Sequence, residues 1–360
     1  MNRLGITRNK KNLTLNRSSG IKSIPRKHIS LAAMALVLIC LKLIVVPIEA
    51  SSPKIIRART FPASGKISIS GAWALYPLVV RWAEEFQKEN REIKIDLQAG
   101  GAGKGMADVL NGLVDIGMVS REVYPEEISR GAVPLSVARD AVVGTLNKNN
   151  PHLRTILRKG LDQEVLKAIF VEGKIKYWEE IFGYPGKTPI HVYTRSDACG
   201  AAETWAAFLG AHQEDLKGIA IYGDPGLAEA VRRDPLALGF NNLNFAYNPK
   251  SLEPHQGLAI VPLDLNHNGQ LEPEENFYPN RNQLTAAISR GLYPSPPARN
   301  LYLVIKVAPS NPLSILFLEW VLNRGQELVE EVGYLRLDDL TIQKEKQKIK
   351  ELKEKRGDRN

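Results

Sequence analysis

Apolar and polar positions change their period repeatedly along the chain, and the pattern predicts strands and helices in alternation. The run Lys66–Ser70 alternates as a strand does, and the stretch after it carries Leu75, Leu78, Trp82 and Phe86 at helical spacing. This rhythm favours parallel strands joined by crossover helices. Further strands are predicted at 93–98, 116–119, 133–138, 141–147, 190–194, 238–243, 258–263 and 301–307, and further helices at 106–112, 163–170, 201–209, 280–289 and 312–332.

Two lobes are the favoured organisation for a chain of 360 residues with 44% apolar content. We interpret the predicted strand 141–147 as a crossing from the first lobe to the second, and we expect the chain to return near Asn280. The predicted limits are 66–140 and 280–340 for the first lobe, 141–279 for the second lobe, and 341–360 for a charged tail. This tail is predicted to be a polar Lys/Glu helix or a frayed end, in either case solvated.

Three of the predicted strands end in glycine-bearing turns that lead into helices. Glycine stands at position 71 after the strand 66–70, and at positions 100, 101, 103 and 105 after the strand 93–98. It stands at position 200 after the strand 190–194. A helix N-terminus exposes unpaired N–H groups and about half a positive charge, and glycine lets a ligand approach the backbone. One such turn is common in α/β proteins for structural reasons alone. The basic residues beside these turns are Lys104, Arg121 and Arg195, and with them the three turns predict an oxyanion pocket.

The two ends of the chain carry most of its excess charge. The net charge is +9, but the basic excess lies before residue 30 and after residue 340, which argues against nucleic acid as a partner. Residues 1–52 combine a basic leader with an apolar run, as a secretion signal does; an uncleaved membrane anchor is the alternative. Residues 53–65 are predicted to be a linker. The expected location is periplasmic or otherwise extracytoplasmic, with Cys199 as the only cysteine left after cleavage.

Five ordered sequence blocks stand between residues 66 and 335: Ile69–Pro77, Gly100–Gly105, Val114–Arg121, Ile169–Trp178 and Val192–Gly200. Together these blocks resemble those of the bacterial phosphate-binding proteins of ATP-driven importers. The resemblance implies a two-lobed α/β fold of the type II periplasmic-binding class, with hinge strands and a ligand cleft between the lobes. It further implies capture of phosphate or a related oxyanion, an ABC permease in the membrane as partner, a monomer, and no enzymatic activity.

The ligand turns depart from the family's pattern where that pattern has hydroxyl side chains. Those positions hold Ala72, Trp73, Ala74, Ala102, Cys199 and Ala201. Arg195 and Asp197 match the family's arginine, which neutralises the anion, and its aspartate, which accepts the anion's proton. A hydroxyl donated to a charged acceptor contributes roughly 1.5–3 kcal/mol, so we expect Lys104 and Arg121 to compensate with charge, or Trp73 to cover the apolar part of a larger ligand. The predicted ligand residues are Gly71, Ala72, Trp73, Gly101, Ala102, Gly103, Lys104, Ser120, Arg121, Arg195, Asp197, Cys199, Gly200 and Ala201.

Residues 264–275 match the twelve-residue calcium-loop pattern. Oxygen-bearing side chains stand at positions 1, 3 and 5, glycine at 6, an apolar residue at 8 and glutamate at 12. The predicted ligands are Asp264, Asn266, Asn268, the Gln270 carbonyl, Glu272 through water, and Glu275. A polar turn that meets the pattern by chance is the alternative. Because a strand is predicted before the loop, we expect a lone structural calcium site.

Two other functions stay open at the level of the sequence. One is a calcium-stabilised sensory or adhesion module on the same scaffold, without transport. The other is an esterase or phosphatase with Cys199 as nucleophile, since a helix N-terminus lowers the pKa of a thiol. No histidine stands at a local spacing that would support this second alternative.

Overall fold

The computed structural model describes residues 64–357, which contain nine strands and twelve α-helices. The predicted signal or anchor at 1–52 and nearly all of the predicted linker 53–65 lie outside these residues. The strands are β1 (Gly65–Gly71), β2 (Ile93–Ala99), β3 (Ile116–Val119), β4 (Ala132–Asn147), β5 (His191–Arg195), β6 (Ile219–Ile221), β7 (Ala237–Asn242), β8 (Leu258–Ile260) and β9 (Ala298–Lys306). The helices are α1 (Tyr76–Glu89), α2 (Ala102–Leu110), α3 (Pro125–Ser129), α4 (Leu153–Lys159), α5 (Gln163–Lys167), α6 (Trp178–Phe182), α7 (Gly200–Phe208), α8 (Gly223–Arg233), α9 (Leu243–Ala246), α10 (Arg281–Ser289), α11 (Pro312–Leu322) and α12 (Asp339–Gly357).

The strands follow the order β2-β1-β3-β9-β4-β7-β5-β6, with β8 paired to β4 beside this path. β1 pairs in parallel with β2 and β3, and β5 pairs in parallel with β6 and β7, as the alternation of strands and helices predicts. The carboxyl ends of parallel strands meet at one edge of a sheet, which is where α/β proteins bind ligands. The turns that follow β1, β2, β5 and β6 are therefore positioned to form a site.

Two long strands connect the two groups of parallel strands. β4 is 16 residues long and contains both of the runs predicted at 133–138 and 141–147. Its first part pairs antiparallel with β9, from Ala132 opposite Lys306 to Ala141 opposite Ala298, and its second part pairs with β7 and β8. β4 and β9 thus run from one lobe into the other as hinge strands.

Each lobe has its own apolar core. One core contains the buried side chains of β1, α1 and β3 together with those of β9, α11 and α12, and we call this part the first lobe. The other core contains the buried side chains of α6, α7, β7 and β8, and we call this part the second lobe. Leu284, Ala287 and Ile288 of α10 lie in the second core. The predicted limits of the lobes stay predictions, and the structure groups α10 with the second lobe's core although the predicted return of the chain was near Asn280.

α2 begins earlier than predicted, at Ala102 in place of residue 106. Two glycines within its first turns have low helix propensity, which favoured a longer loop at the level of sequence. Packing decides otherwise: a Cβ on Gly105 would lie 2.6 Å from the Met118 carbonyl oxygen and 2.8 Å from the Gly71 Cα. Glycine at position 105 therefore lets the helix lie directly on β1 and β3.

The C-terminal helices also differ from the prediction. α11 ends at Leu322, before the predicted residue 332, and the Gly325 carbonyl in the turn that follows accepts a 2.7 Å hydrogen bond from the Trp82 indole. Residues 341–357 belong to α12, which buries Ile349 and Leu352 in the first core, so this part of the predicted solvated tail is a packed helix. Among the described helices, none has the length and apolarity to cross a membrane.

Candidate functional site between the lobes

Four turns meet between the lobes, and we number them along the chain: turn 1 (residues 71–75), turn 2 (99–103), turn 3 (195–201) and turn 4 (221–225). Turns 1 and 2 belong to the first lobe and turns 3 and 4 to the second. The Gly103 amide of turn 2 donates to the Ala198 carbonyl of turn 3 at 3.1 Å. A Cβ on Gly200 of turn 3 would lie 2.1 Å from the carbonyl oxygen of Ser120, at the end of β3. The lobes are thus in direct contact at the predicted site.

Turn 2 requires glycine where it faces turn 3. Gly101 has φ of +89°, a backbone conformation that residues with a side chain rarely adopt. A Cβ there would also lie 2.7 Å from the Ala198 carbonyl oxygen. Any larger residue at 101 would strain the turn and separate the lobes.

Arg195 lies at the centre of the site, with its side chain fully buried. Its Nε and Nη2 donate to the two carboxylate oxygens of Asp197 at 2.8 and 2.6 Å, and its Nη1 donates to Asp224 at 2.5 Å. Burial alone lowers the pKa of Arg195, but the charges of Asp224 and Asp197 outweigh it and raise that pKa above its ordinary value. The guanidinium therefore stays charged, and both carboxylates fix its orientation.

Turn 4 was not among the predicted ligand turns. The Gly223 amide donates to Asp197 at 3.1 Å, and the Asn242 amide donates to Asp224 at 3.2 Å. α8 therefore starts against Arg195, Asp197 and Asp224, which we call the arginine cluster. Asp224 is almost fully buried. The strand-like run Ile219–Ile221 before a glycine and an aspartate was the available signal, but only the folded chain shows that Asp224 reaches Arg195.

Cys199 caps α7, and its thiol accepts from the Ala202 amide at 3.4 Å. The Gln213 side chain fixes this turn by accepting from the Cys199 amide at 3.1 Å and donating to the Asp197 carbonyl at 2.8 Å. Burial raises the pKa of Cys199 to about 12, because Arg195 offsets only part of the cost of burying a thiolate. The thiol is therefore protonated at neutral pH, which does not suit the nucleophile of the esterase alternative.

The two cations expected to compensate for the missing hydroxyls are paired with carboxylates. Arg121 donates to both oxygens of Glu127, at 2.9 and 2.6 Å, and its guanidinium lies 4.2 Å from the centre of the Tyr124 ring. Lys104 forms an ion pair with Asp108, one helical turn further along α2. Their charges are thus largely offset within the first lobe, contrary to the expectation that they compensate at the ligand.

Several amides expected to face a ligand have protein acceptors. Ala72 donates to the Met118 carbonyl, Gly101 to the Gly71 carbonyl, and Cys199 to Gln213. The acceptors belong to neighbouring strands and loops that pack against the turns. In contrast, the amides of Gly200 and Ala201 at the start of α7 have no protein acceptor among residues 64–357.

Trp73 reaches from turn 1 to turn 4. Its ring centre lies 6.3 Å from that of Tyr222, with the two planes at 87°. A Cβ on Gly223 would lie 3.4 to 3.5 Å from Cε2, Cζ2 and Nε1 of the indole. The edge that bears the N–H group therefore faces the second lobe beside the arginine cluster.

A cavity of about 530 Å³ lies between the end of β3, α7 and the hinge strand β9. Its wall includes Arg121 of the first lobe, Glu203 and Thr204 of α7, and Arg299 of the hinge strand β9. Arg299 donates to the Thr204 hydroxyl at 2.9 Å and also to the Gly200 carbonyl. The hinge thus holds the first turn of α7, where the free amides lie.

Comparison with solved structures defines the class of this fold. The crystal structure of a proposed phosphate ABC transporter substrate-binding protein from Clostridium perfringens, with bound phosphate, matches with a TM-score of 0.62 and 22% identity, covering 76% of this chain and 100% of that one. An ABC-type phosphate transport receptor from Vibrio cholerae matches with a TM-score of 0.54 and 17% identity, covering 75% and 99%. At these identities the likeness concerns the fold. The molecule is a two-lobed α/β protein of the periplasmic-binding class, and the predicted fold class is confirmed.

Comparison of sequences then gives the family. The PBP superfamily domain matches residues 58–324, and the chain belongs to the PBP superfamily. The phosphate-binding protein PstS of Bacillus subtilis is 35% identical over 186 residues, which are 51% of this chain and 59% of that relative. The phosphate-binding protein PstS of Methanocaldococcus jannaschii is 25% identical over 343 residues, covering 79% of this chain and 88% of that relative.

Proposed function

We propose that this protein captures phosphate or a related tetrahedral oxyanion between its lobes and presents it to the permease of an ABC importer. The observation that carries the proposal is the buried, charged Arg195 at the meeting point of turns from both lobes. The two named relatives, both phosphate-binding proteins, support the same ligand. The expected signal at 1–52 and the family's periplasmic class support a location outside the cytoplasm.

The free donors of the site can hold an oxyanion. A guanidinium has five N–H groups, of which three donate to Asp197 and Asp224, so two remain for a ligand. The amides of Gly200 and Ala201 add two donors at a helix N-terminus, where the helix dipole also favours an anion. Ser120 supplies a hydroxyl from the opposite lobe. A ligand bonded to both sides would hold the cleft closed.

Calorimetry of the purified protein tests this function. Titrations with phosphate, sulfate, molybdate and a small carboxylate such as acetate should give saturable binding of at least one tetrahedral anion and none of acetate. A folded protein that binds no anion would refute transport of an oxyanion. It would favour the sensory or adhesion alternative, in which the pocket binds no anion.

The loop 264–275 supports a second proposal, a structural calcium ion in the second lobe. Asp264 accepts from the amides of Asn268 and Gly269, and Glu275 accepts from the amides of Leu265 and Asn266. The loop is thus folded around its first and twelfth positions. Among the described residues no three histidine, cysteine, aspartate or glutamate side chains form a metal cluster. The proposed coordination therefore depends on amide and carbonyl oxygens as much as on carboxylates, as calcium loops do.

Calcium at this loop would stabilise the second lobe around α4. The Leu271 amide donates to the Arg158 carbonyl at 2.9 Å, and the Asp264 amide donates to the Leu161 carbonyl at 3.2 Å. These bonds join the loop to the chain on either side of Gly160. Calcium that orders the loop would therefore also stabilise the end of α4 and the residues that follow it.

Thermal unfolding with calcium or a chelator tests the calcium proposal. We expect millimolar calcium to raise the unfolding temperature by several degrees, and Asp264→Ala to abolish that rise. Glu274→Gln is the matched control, since Glu274 is exposed and stands at a position of the loop that supplies no ligand. If calcium has no effect on the wild-type protein, the loop is the polar turn of the alternative interpretation.

A further inference from the structure

The indole N–H group of Trp73 is a buried donor without an acceptor. Its Nε1 is shielded from solvent and has no hydrogen-bond partner among residues 64–357. Leaving a buried donor unpaired costs about 1–3 kcal/mol, so an acceptor is expected at such a position. The site needs donors as well, because Lys104 and Arg121 are paired with carboxylates.

Other unpaired indoles in the described chain do not share this setting. Trp178 and Trp205 also have Nε1 atoms without partners, but both rings are fully buried in the second core among apolar side chains. Trp73 instead reaches from one lobe to the other. The N–H edge of Trp73 lies against Gly223 of turn 4.

The acceptor position next to this N–H group is defined by turn 4. A Cβ on Gly223 would lie 3.5 Å from the indole Nε1; Gly223 donates its amide to Asp197, and the next residue, Asp224, binds Arg195. An oxyanion bonded to the remaining guanidinium N–H groups of Arg195 would lie beside the same turn. Within residues 64–357 no group accepts a hydrogen bond from the indole Nε1.

We propose that Trp73 donates its indole N–H directly to the captured oxyanion. The inference rests on the proposed function and concerns the same site. Because an indole donates and cannot accept, Trp73 bonds equally to phosphate and to sulfate. It therefore contributes affinity for tetrahedral oxyanions as a class, and the ring shields the bound anion from water.

Nuclear magnetic resonance tests this role directly. The chain has five tryptophans, so the ¹⁵N-labelled protein should give five indole N–H signals, and the signal that is missing in Trp73→Phe belongs to Trp73. Saturating phosphate should shift this signal downfield, as a new hydrogen bond does. An unmoved Trp73 signal under conditions where calorimetry detects phosphate binding overturns the inference and leaves the proposed function intact.

Calorimetry of two matched variants gives the second test. Trp73→Phe keeps an aromatic ring and loses the donor, so phosphate and sulfate should both bind about ten- to a hundredfold more weakly. Trp178→Phe removes an unpaired indole N–H within the second core and should leave the affinity unchanged. Equal affinity of Trp73→Phe and wild type would contradict the proposed bond, and a wild-type protein that binds no anion would remove the proposed function itself.

Discussion

Closure of the lobes depends on the absence of a side chain at Gly200, which predicts a specific effect of Gly200→Ala. The new methyl group would lie 2.1 Å from the Ser120 carbonyl oxygen and 2.3 Å from its Oγ. Ordinary contact needs about 3.5 Å, so the lobes must separate locally by about 1.4 Å. A hydrogen bond of ordinary length stretched by that amount is lost.

The loss of two such bonds to an anion predicts a large fall in affinity. At roughly 1.5–3 kcal/mol for each bond to a charged group, phosphate should bind at least about a hundredfold more weakly by calorimetry. The unfolding temperature should hardly change, because opening of the cleft relieves the clash without disturbing either core. Small-angle scattering should show a more open protein at saturating phosphate than the wild type gives.

Gly112→Ala is the matched control for this substitution. Gly112 has φ of +72° and nothing within 4 Å of an added Cβ, so alanine there strains the backbone without touching the cleft. It should lower stability by about 1–2 kcal/mol and leave phosphate affinity unchanged. If Gly200→Ala binds phosphate as tightly as the wild type does, the contact between Gly200 and Ser120 does not govern closure.

Two further predictions concern buried carboxylates. Asp224→Ala leaves Arg195 with one partner and should lower the free energy of unfolding in urea by about 3–5 kcal/mol, whereas a change below 1 kcal/mol would show that the pair is dispensable. Burial raises the pKa of Asp140 to about 6, only partly offset by Arg299, so the folded state holds this proton more tightly than the unfolded state does. Its stabilising effect is therefore complete below about pH 4 and is lost as the pH rises through 6, by up to about 3 kcal/mol. Asp140→Asn should flatten that part of the pH profile of unfolding, and an unchanged profile would refute the assignment.

Local signals predicted most of the elements that carry the site. The limits of β3 were predicted to the residue, and α7 starts one residue from its predicted position. Both elements are marked locally, by the alternation of strands and helices along the chain and by the polar or glycine-bearing residues that flank them. The early start of α2 could not be predicted, since helix propensity disfavours Gly103 and Gly105. Glycine is required there by long-range packing, of Gly105 on β1 and β3 and of Gly103 against turn 3. The end of α11 at Leu322 could not be predicted for a similar reason, since the turn that follows it is held by a long-range hydrogen bond from the Trp82 indole to the Gly325 carbonyl.

The sequence predicted most of the charged residues of the site, but it did not predict all of the partners with which they pair. Arg195 and Asp197 are two residues apart, so their pairing follows from the local sequence. Asp224 lies 29 residues further on, and no local pattern connects it to Arg195. Lys104 and Asp108 stand at positions i and i+4 of one helix, a spacing that predicts the observed ion pair and argues against a free lysine at the ligand.

The pairing of these charges determines how the site can attract an anion. Arg195 with Asp197 and Asp224 carries one positive and two negative charges, a net charge of −1, while Lys104 and Arg121 are each paired with a carboxylate. A surplus of positive side chains is therefore not what holds the anion. Aligned dipoles can do so, since the amides of Gly200 and Ala201 and the indole of Trp73 present hydrogens without adding charge. Because such donors act only over a hydrogen bond's length, capture requires both lobes to close on the anion.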